Sequence, residues 1–157
     1  MNLLKFNFIA ILFIAFVAKI IAQENQAQVN IILIIDNELV TSGVRLSFVS
    51  ENNKILLEQK YTAGTALEID LNWFEDKVYL AFDYIGKADE EYKKYHYRIN
   101  TLKGYISKTE FLILRIFNLD KPLFKEAYCK AKDEYVFEIE NQSYIMQEPQ
   151  CKEFVKF

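Results

Sequence analysis

The sequence predicts an all-β fold, an antiparallel sandwich or barrel of about seven to nine short strands, and three observations carry that prediction. Apolar residues recur with a period of two through several segments beyond residue 28. Turn-forming residues return at intervals of about eight to twelve. Both prolines, Pro122 and Pro149, fall outside the clearest alternating segments, as a residue without an N–H for the ladder must.

Val29–Ile35 is a continuous apolar run rich in β-branched residues, as expected of a strand buried on both faces, and Asp36-Asn37 marks a turn. After Thr41-Ser42-Gly43, the segment Val44–Ser50 sets Val44, Leu46 and Phe48 against Arg45 and Ser47. Glu51-Asn52-Asn53 is the next turn. Lys54–Tyr61 gives a third strand, Ala63-Gly64-Thr65 a third turn, and Leu67, Ile69 and Leu71 alternate with Glu68 and Asp70. Lys77–Tyr84 repeats the pattern with Val78, Leu80 and Phe82 inward, closing at Ile85-Gly86. Lys87–Lys94 is expected as a charged loop with a solvated tip. Tyr95–Thr101, Phe111–Asn118, Leu123–Cys129 and Tyr135–Glu140 are the remaining strands, although Phe124–Lys132 also suits a helix.

Upstream of the first strand, Met1–Ala22 has the layout of an export signal: Lys5, an apolar run of eleven residues from Phe8 to Ala18, and a small residue, Ala22, at the expected cut. Eleven apolar residues fall short of the roughly 20 needed to cross a bilayer. An uncleaved anchor lengthened by Ile20 and Ile21 is the alternative, interrupted by Lys19. No cysteine directly follows the run, which argues against a lipoprotein. The Ala22-Gln23 junction in a chain rich in Ile, Lys, Asn, Phe and Tyr resembles secreted proteins of low-GC Gram-negative bacteria. The expectation is a periplasmic or secreted protein whose mature chain, residues 23–157, is one domain and does not insert into the membrane.

The whole chain carries 22 acids against 19 Lys and Arg, a formal charge of −3. Losing Lys5 and Lys19 with the leader takes this to about −5, and scattered bases argue against nucleic acid or an anionic membrane as partner. Cys129 and Cys151, an even pair in an exported chain, are expected to form a disulfide, with two buried thiols as the alternative. They stand too far apart in sequence for a zinc site and His96 is the only histidine, so no metal and no cofactor is expected.

Asn30–Gly86 resembles the transthyretin-like or carboxypeptidase regulatory-like domain, a seven-stranded Ig-like sandwich. The resemblance rests on Ile34-Ile35-Asp36-Asn37-Glu38-Leu39-Val40-Thr41-Ser42-Gly43-Val44-Arg45-Leu46, on Gly64–Leu71, and on the aromatic strand Phe82-Asp83-Tyr84-Ile85-Gly86. It covers under half of residues 23–157 and implies a non-catalytic accessory or docking module.

Chemistry is sparsely represented. A nucleophile would need a histidine beside it, and His96 lies between Tyr95 and Tyr97 in a strand. Glu68 and Asp70 share a strand face, a routine pattern for outward acids that also suits calcium or acid–base work. Tyr79, Tyr84, Tyr92, Tyr95 and Tyr97 cluster with Trp73 and Phe74 just before them. Such tyrosines fill sheets, and they also build protein interfaces and sugar platforms. The Asn141-Gln142-Ser143 sequon bears only on a eukaryotic source.

The expected function is a non-catalytic exported sandwich that binds a protein partner of the cell envelope as an accessory subunit, with Tyr92, His96 and Arg98 in the interface. The alternatives are an inhibitor or immunity protein against a secreted enzyme or toxin, whose acidic surface plugs a basic cleft, and a carbohydrate-binding module.

Overall fold

The computed structural model describes residues 25–88, 91–101, 103–106, 109–143 and 145–156. The expected leader, Met1–Ala22, lies outside the described residues. Among the described residues, ten strands form two packed sheets: β1 (Gln26–Ile35), β2 (Glu38–Val40), β3 (Ser42–Ser50), β4 (Ile55–Thr62), β5 (Ala66–Asp70), β6 (Val78–Ala88), β7 (Glu91–Thr101), β8 (Phe111–Asn118), β9 (Tyr135–Glu140) and β10 (Ile145–Met146). One sheet runs β10-β9-β8-β1-β2, with β5 also paired to β1; the other runs β4-β3-β6-β7. The all-β sandwich expected from the sequence is the fold.

Local chemistry fixes the turns. Asp36 and Asn37 join β1 to β2 with φ of +53° and +69°, a conformation that short polar side chains tolerate better than others. Asn53 repeats this at the β3–β4 turn with φ +62°, and Gly64 at +83° serves the turn after β4. The alternating faces then meet. Val29, Ile31, Leu33 and Ile35 of β1 join Leu112, Leu114 and Ile116 of β8 against Val44, Leu46, Phe48, Val78, Leu80, Tyr97 and Ile99 of the opposite sheet, all buried.

Four details depart from expectation. β1 is buried on one face only, and Ile32 and Ile34 on the other face are half-exposed. Its pairing with β8, from Asn30 opposite Phe111 to Ile35 opposite Ile116, is parallel, whereas the other pairings among the described residues are antiparallel. This pairing is non-local, joining segments that share no hairpin, so no turn sets its direction. The segment Lys87–Lys94 is largely strand, because β6 and β7 pair continuously from Val78 opposite Thr101 to Ala88 opposite Glu91. Gly86 therefore ends nothing. It sits mid-strand, where an added Cβ would meet Tyr84 Cε1 at 2.7 Å and Tyr95 Cε2 at 3.2 Å.

The fourth departure is Leu123–Cys129, which is not a strand. Residues Pro122–Ala127 form a helical turn, α2, preceded by the shorter α1 (Lys103–Ile106). Pro122 occupies the first turn, where its fixed φ suits a helix and its missing N–H costs nothing. The i, i+3, i+4 spacing of Phe124, Ala127 and Tyr128 presents one apolar face, which buries with Phe117 and Val136 in a second small core.

The C-terminal segment is strapped across this core. Cys129 and Cys151 form a disulfide with Cα atoms 6.0 Å apart. The Cys151 N–H donates to the Ala127 carbonyl at 2.7 Å, Phe154 packs on Phe117, Phe124 and Tyr128, and Lys156 reaches the buried Glu138 carboxylate at 2.7 Å. Tyr128 donates to the same carboxylate at 2.8 Å, and burial, reinforced by that anion, pushes its phenol pKa up. Exchanging both cysteines for serine is expected to lower stability by about 3 kcal/mol. Thiol titration of unfolded, unreduced protein should find no free thiol, and two would contradict the pairing.

The sequon is structurally committed. Asn141 is buried, and its Nδ2 donates to the Tyr105 carbonyl at 3.2 Å and to Thr109 Oγ1 at 3.1 Å. A glycan on that nitrogen is incompatible with these contacts.

Candidate functional site

The strand that carries Tyr92, His96 and Arg98 is an edge. β7 pairs with β6 and, among the described residues, with no strand on its other side. Period two sends Tyr95, Tyr97 and Ile99 into the core and leaves Tyr92, Lys94, His96, Arg98 and Asn100 outside. The three expected interface residues thus share one outward row. Tyr92 is 81% exposed and Ile85 on the neighbouring strand 66%.

Register adds residues that the sequence did not single out. His96 stands opposite Asp83, Lys94 opposite Ile85, and Tyr92 opposite Lys87. Asp83 pairs with both Lys94, at 2.8 Å, and His96. The Lys94 ammonium, with His96 assisting, holds the Asp83 carboxyl below its usual range. Arg98 lies over the Tyr79 ring at 4.2 Å and donates to Asn53 Oδ1. These neighbours come from register, and they were hidden because Lys87–Lys94 reads as a loop in sequence.

On its inner side the arm is tied down. Asp120 Oδ2 accepts from Lys93 Nζ at 2.8 Å and from Tyr95 Oη at 3.1 Å. Against a burial that would raise it, the Lys93 ammonium keeps the Asp120 carboxyl below the usual range, and Asp120 in turn raises Lys93. Carboxyls depressed in this way stabilise above the ordinary carboxylate range, so the arm loses both ties as pH falls through their folded values.

The Tyr135 hydroxyl caps the edge itself. It accepts from the Arg98 N–H at 2.9 Å and donates to the Arg98 carbonyl at 3.0 Å, while its ring meets Tyr97 edge-on at 5.0 Å. Tyr61 does the converse at the other side of the sandwich, where its hydroxyl accepts from the Leu33 N–H at 3.1 Å. Two cavities flank the edge. One, of about 410 Å³, is lined by Arg98, Tyr135 and Phe137; the other, of about 360 Å³, by Lys93, Asp120 and Lys125.

The other candidates have structural roles. Asp70 accepts from the Asn72 N–H at 2.9 Å and caps a 3₁₀ turn, Leu71–Glu75, while Glu68 is exposed on β5. Of the five clustered tyrosines, Tyr95 and Tyr97 are core, Tyr84 is half-buried and Tyr79 lies under Arg98. No family model matches this sequence, and no curated protein or solved structure matches it.

Proposed function

We propose that this chain is an exported, non-catalytic protein-binding module that docks an envelope partner through the outer side of the β6–β7 arm, as an accessory subunit. The observation that carries this is the position of β7: an edge strand whose outward row, Tyr92, His96 and Arg98, stands beside an exposed Ile85. Exposed aromatic and arginine side chains of this kind anchor protein interfaces. The Cys129–Cys151 disulfide supports an oxidising compartment, and among the described residues no helix is long and apolar enough to cross a membrane. The transthyretin-like resemblance belongs to the same proposal.

The alternatives have less support on this surface. A sugar platform needs several exposed rings, and four of the five clustered tyrosines are engaged or buried. An inhibitor that presents acids to a basic cleft fits poorly on a row that carries Lys94 and Arg98. Replacing Tyr92 and Arg98 together by alanine is expected to weaken partner capture from native envelope at least tenfold, about 1.4 kcal/mol, with the circular dichroism unchanged. Unchanged recovery of the partner by that double variant would place the interface elsewhere.

A further inference from the structure

We infer that the free edge of β7 between Tyr92 and His96 takes up an extended, acidic segment of the partner as an added strand, an inference that rests on the protein-binding role proposed above. In an antiparallel strand the N–H and C=O of one residue point to the same side, and the side alternates residue by residue. Both backbone groups of Arg98 meet the Tyr135 hydroxyl, away from β6. Those of Tyr92, Lys94 and His96 therefore point the same way, and those of Lys93, Tyr95 and Tyr97 pair with β6. Tyr135 occupies the outward groups of Arg98 alone, so it marks where an added strand must stop.

Charge identifies the occupant. The outer faces of the four strands of this sheet, aligned by register, carry Arg45, Lys60, Lys87, Lys94 and Arg98 against Glu58 and Asp83. Arg45 pairs with Glu58 and Lys94 with Asp83. Lys60, Lys87 and Arg98 have no carboxylate partner among the described residues. Lys60 lies on β4 at the far edge of the sheet, whereas Lys87 and Arg98 stand on β6 and β7, so a chain with a net charge of −3 presents these two cations on the outer face beside its open edge. A second copy is a poor occupant, because antiparallel self-pairing centred on Lys94 sets lysine against lysine, a device that blocks edge-to-edge association. A strand with carboxylates at alternate positions meets the cations on its outer side while its backbone completes the ladder.

The test follows amide hydrogen exchange in the purified protein with two blocked seven-residue peptides as probes, one alternating glutamate with valine and one alternating lysine with valine. Without peptide, the amides of Tyr92, Lys94 and His96 should exchange much faster than those of Lys93, Tyr95 and Tyr97. The glutamate peptide should slow those three by at least tenfold, and the lysine peptide should not. Lys94→Pro removes one outward N–H without breaking a bond to β6 and should abolish this protection. A paired variant, Lys87→Glu with Arg98→Glu, retains every backbone donor and should reverse the preference between the peptides.

Equal protection by both peptides, protection by neither, or protection at β4 instead would overturn the inference. So would sedimentation of the protein with phosphatidylglycerol vesicles in place of peptide binding, which would make the cationic face a membrane surface. A captured partner that leaves the three outward amides fast would refute strand addition while the proposed protein-binding role stands.

Discussion

Phe117→Ala is expected to lower the stability of this protein by about 4 kcal/mol, within the range for deleting a fully buried aromatic ring. Phe117 is completely buried, with ring centroids 5.2 Å from Phe124, 5.4 Å from Tyr128 and 5.3 Å from Phe154. It is the one ring on β8 that faces the small core beneath α2 and the C-terminal strap, so alanine leaves a cavity on which three aromatic neighbours cannot close without moving backbone. A urea titration reads the loss. Limited proteolysis reads the second consequence, faster cutting beyond Cys151, because Phe154 loses its seat while the disulfide still holds Cys151. A stability change below about 1 kcal/mol would show that the strap and α2 repack around the gap.

The second large effect is expected at Asp36→Ala, about 3 kcal/mol, from lost charge-assisted hydrogen bonds and a strained turn. The Asp36 side chain is 6% exposed. One carboxylate oxygen accepts from the Asn118 N–H at 2.8 Å, the other from Asn118 Nδ2 at 2.8 Å and from Lys121 at 2.9 Å. Tyr97 donates to Asn118 Oδ1 at 3.0 Å, so the network ties the β1–β2 turn, the end of β8 and the core of the opposite sheet together. Alanine removes the acceptors, orphans both Asn118 donors and must hold φ +53° without a polar side chain. Asp36→Asn keeps the turn preference but turns a donor toward a donor, and it should recover only part of the loss. Denaturant unfolding of both variants checks the order, and an alanine variant as stable as the parent would show that Asn118 finds other partners.

The sequence announced most of the sandwich because most of its strands have one wet face, and alternation is visible wherever that is so. β8 and β9, Phe111–Asn118 and Tyr135–Glu140, lie where the pattern puts them. The strap and α2 were less legible. Phe124, Ala127 and Tyr128 fit either period in so short a segment, and only the position of Phe117 decides which face has something to bury against. The arm reads as a loop for a physical reason. An edge hairpin that leaves the body of the sandwich has few apolar positions, so Lys87, Tyr92, Lys93 and Lys94 look like a loop although each is paired across the ladder. At the candidate site, alternation alone assigned Tyr92, His96 and Arg98 to one face. Asp83, Ile85 and Lys87 joined them through register, and the Tyr135 clamp through tertiary contact, neither of which local sequence encodes.

The parallel pairing of β1 with β8 also sets a timetable. On one side β1 pairs with β2 and β5, which follow it closely in sequence, but its other side must wait for β8 from the last third of the chain, and contacts so distant in sequence form slowly. During synthesis that second side of β1 has no strand to pair with until Phe111–Asn118 has emerged. The sheet therefore closes from one side, as β8, β9 and β10 add to a half already built by β1, β2 and β5.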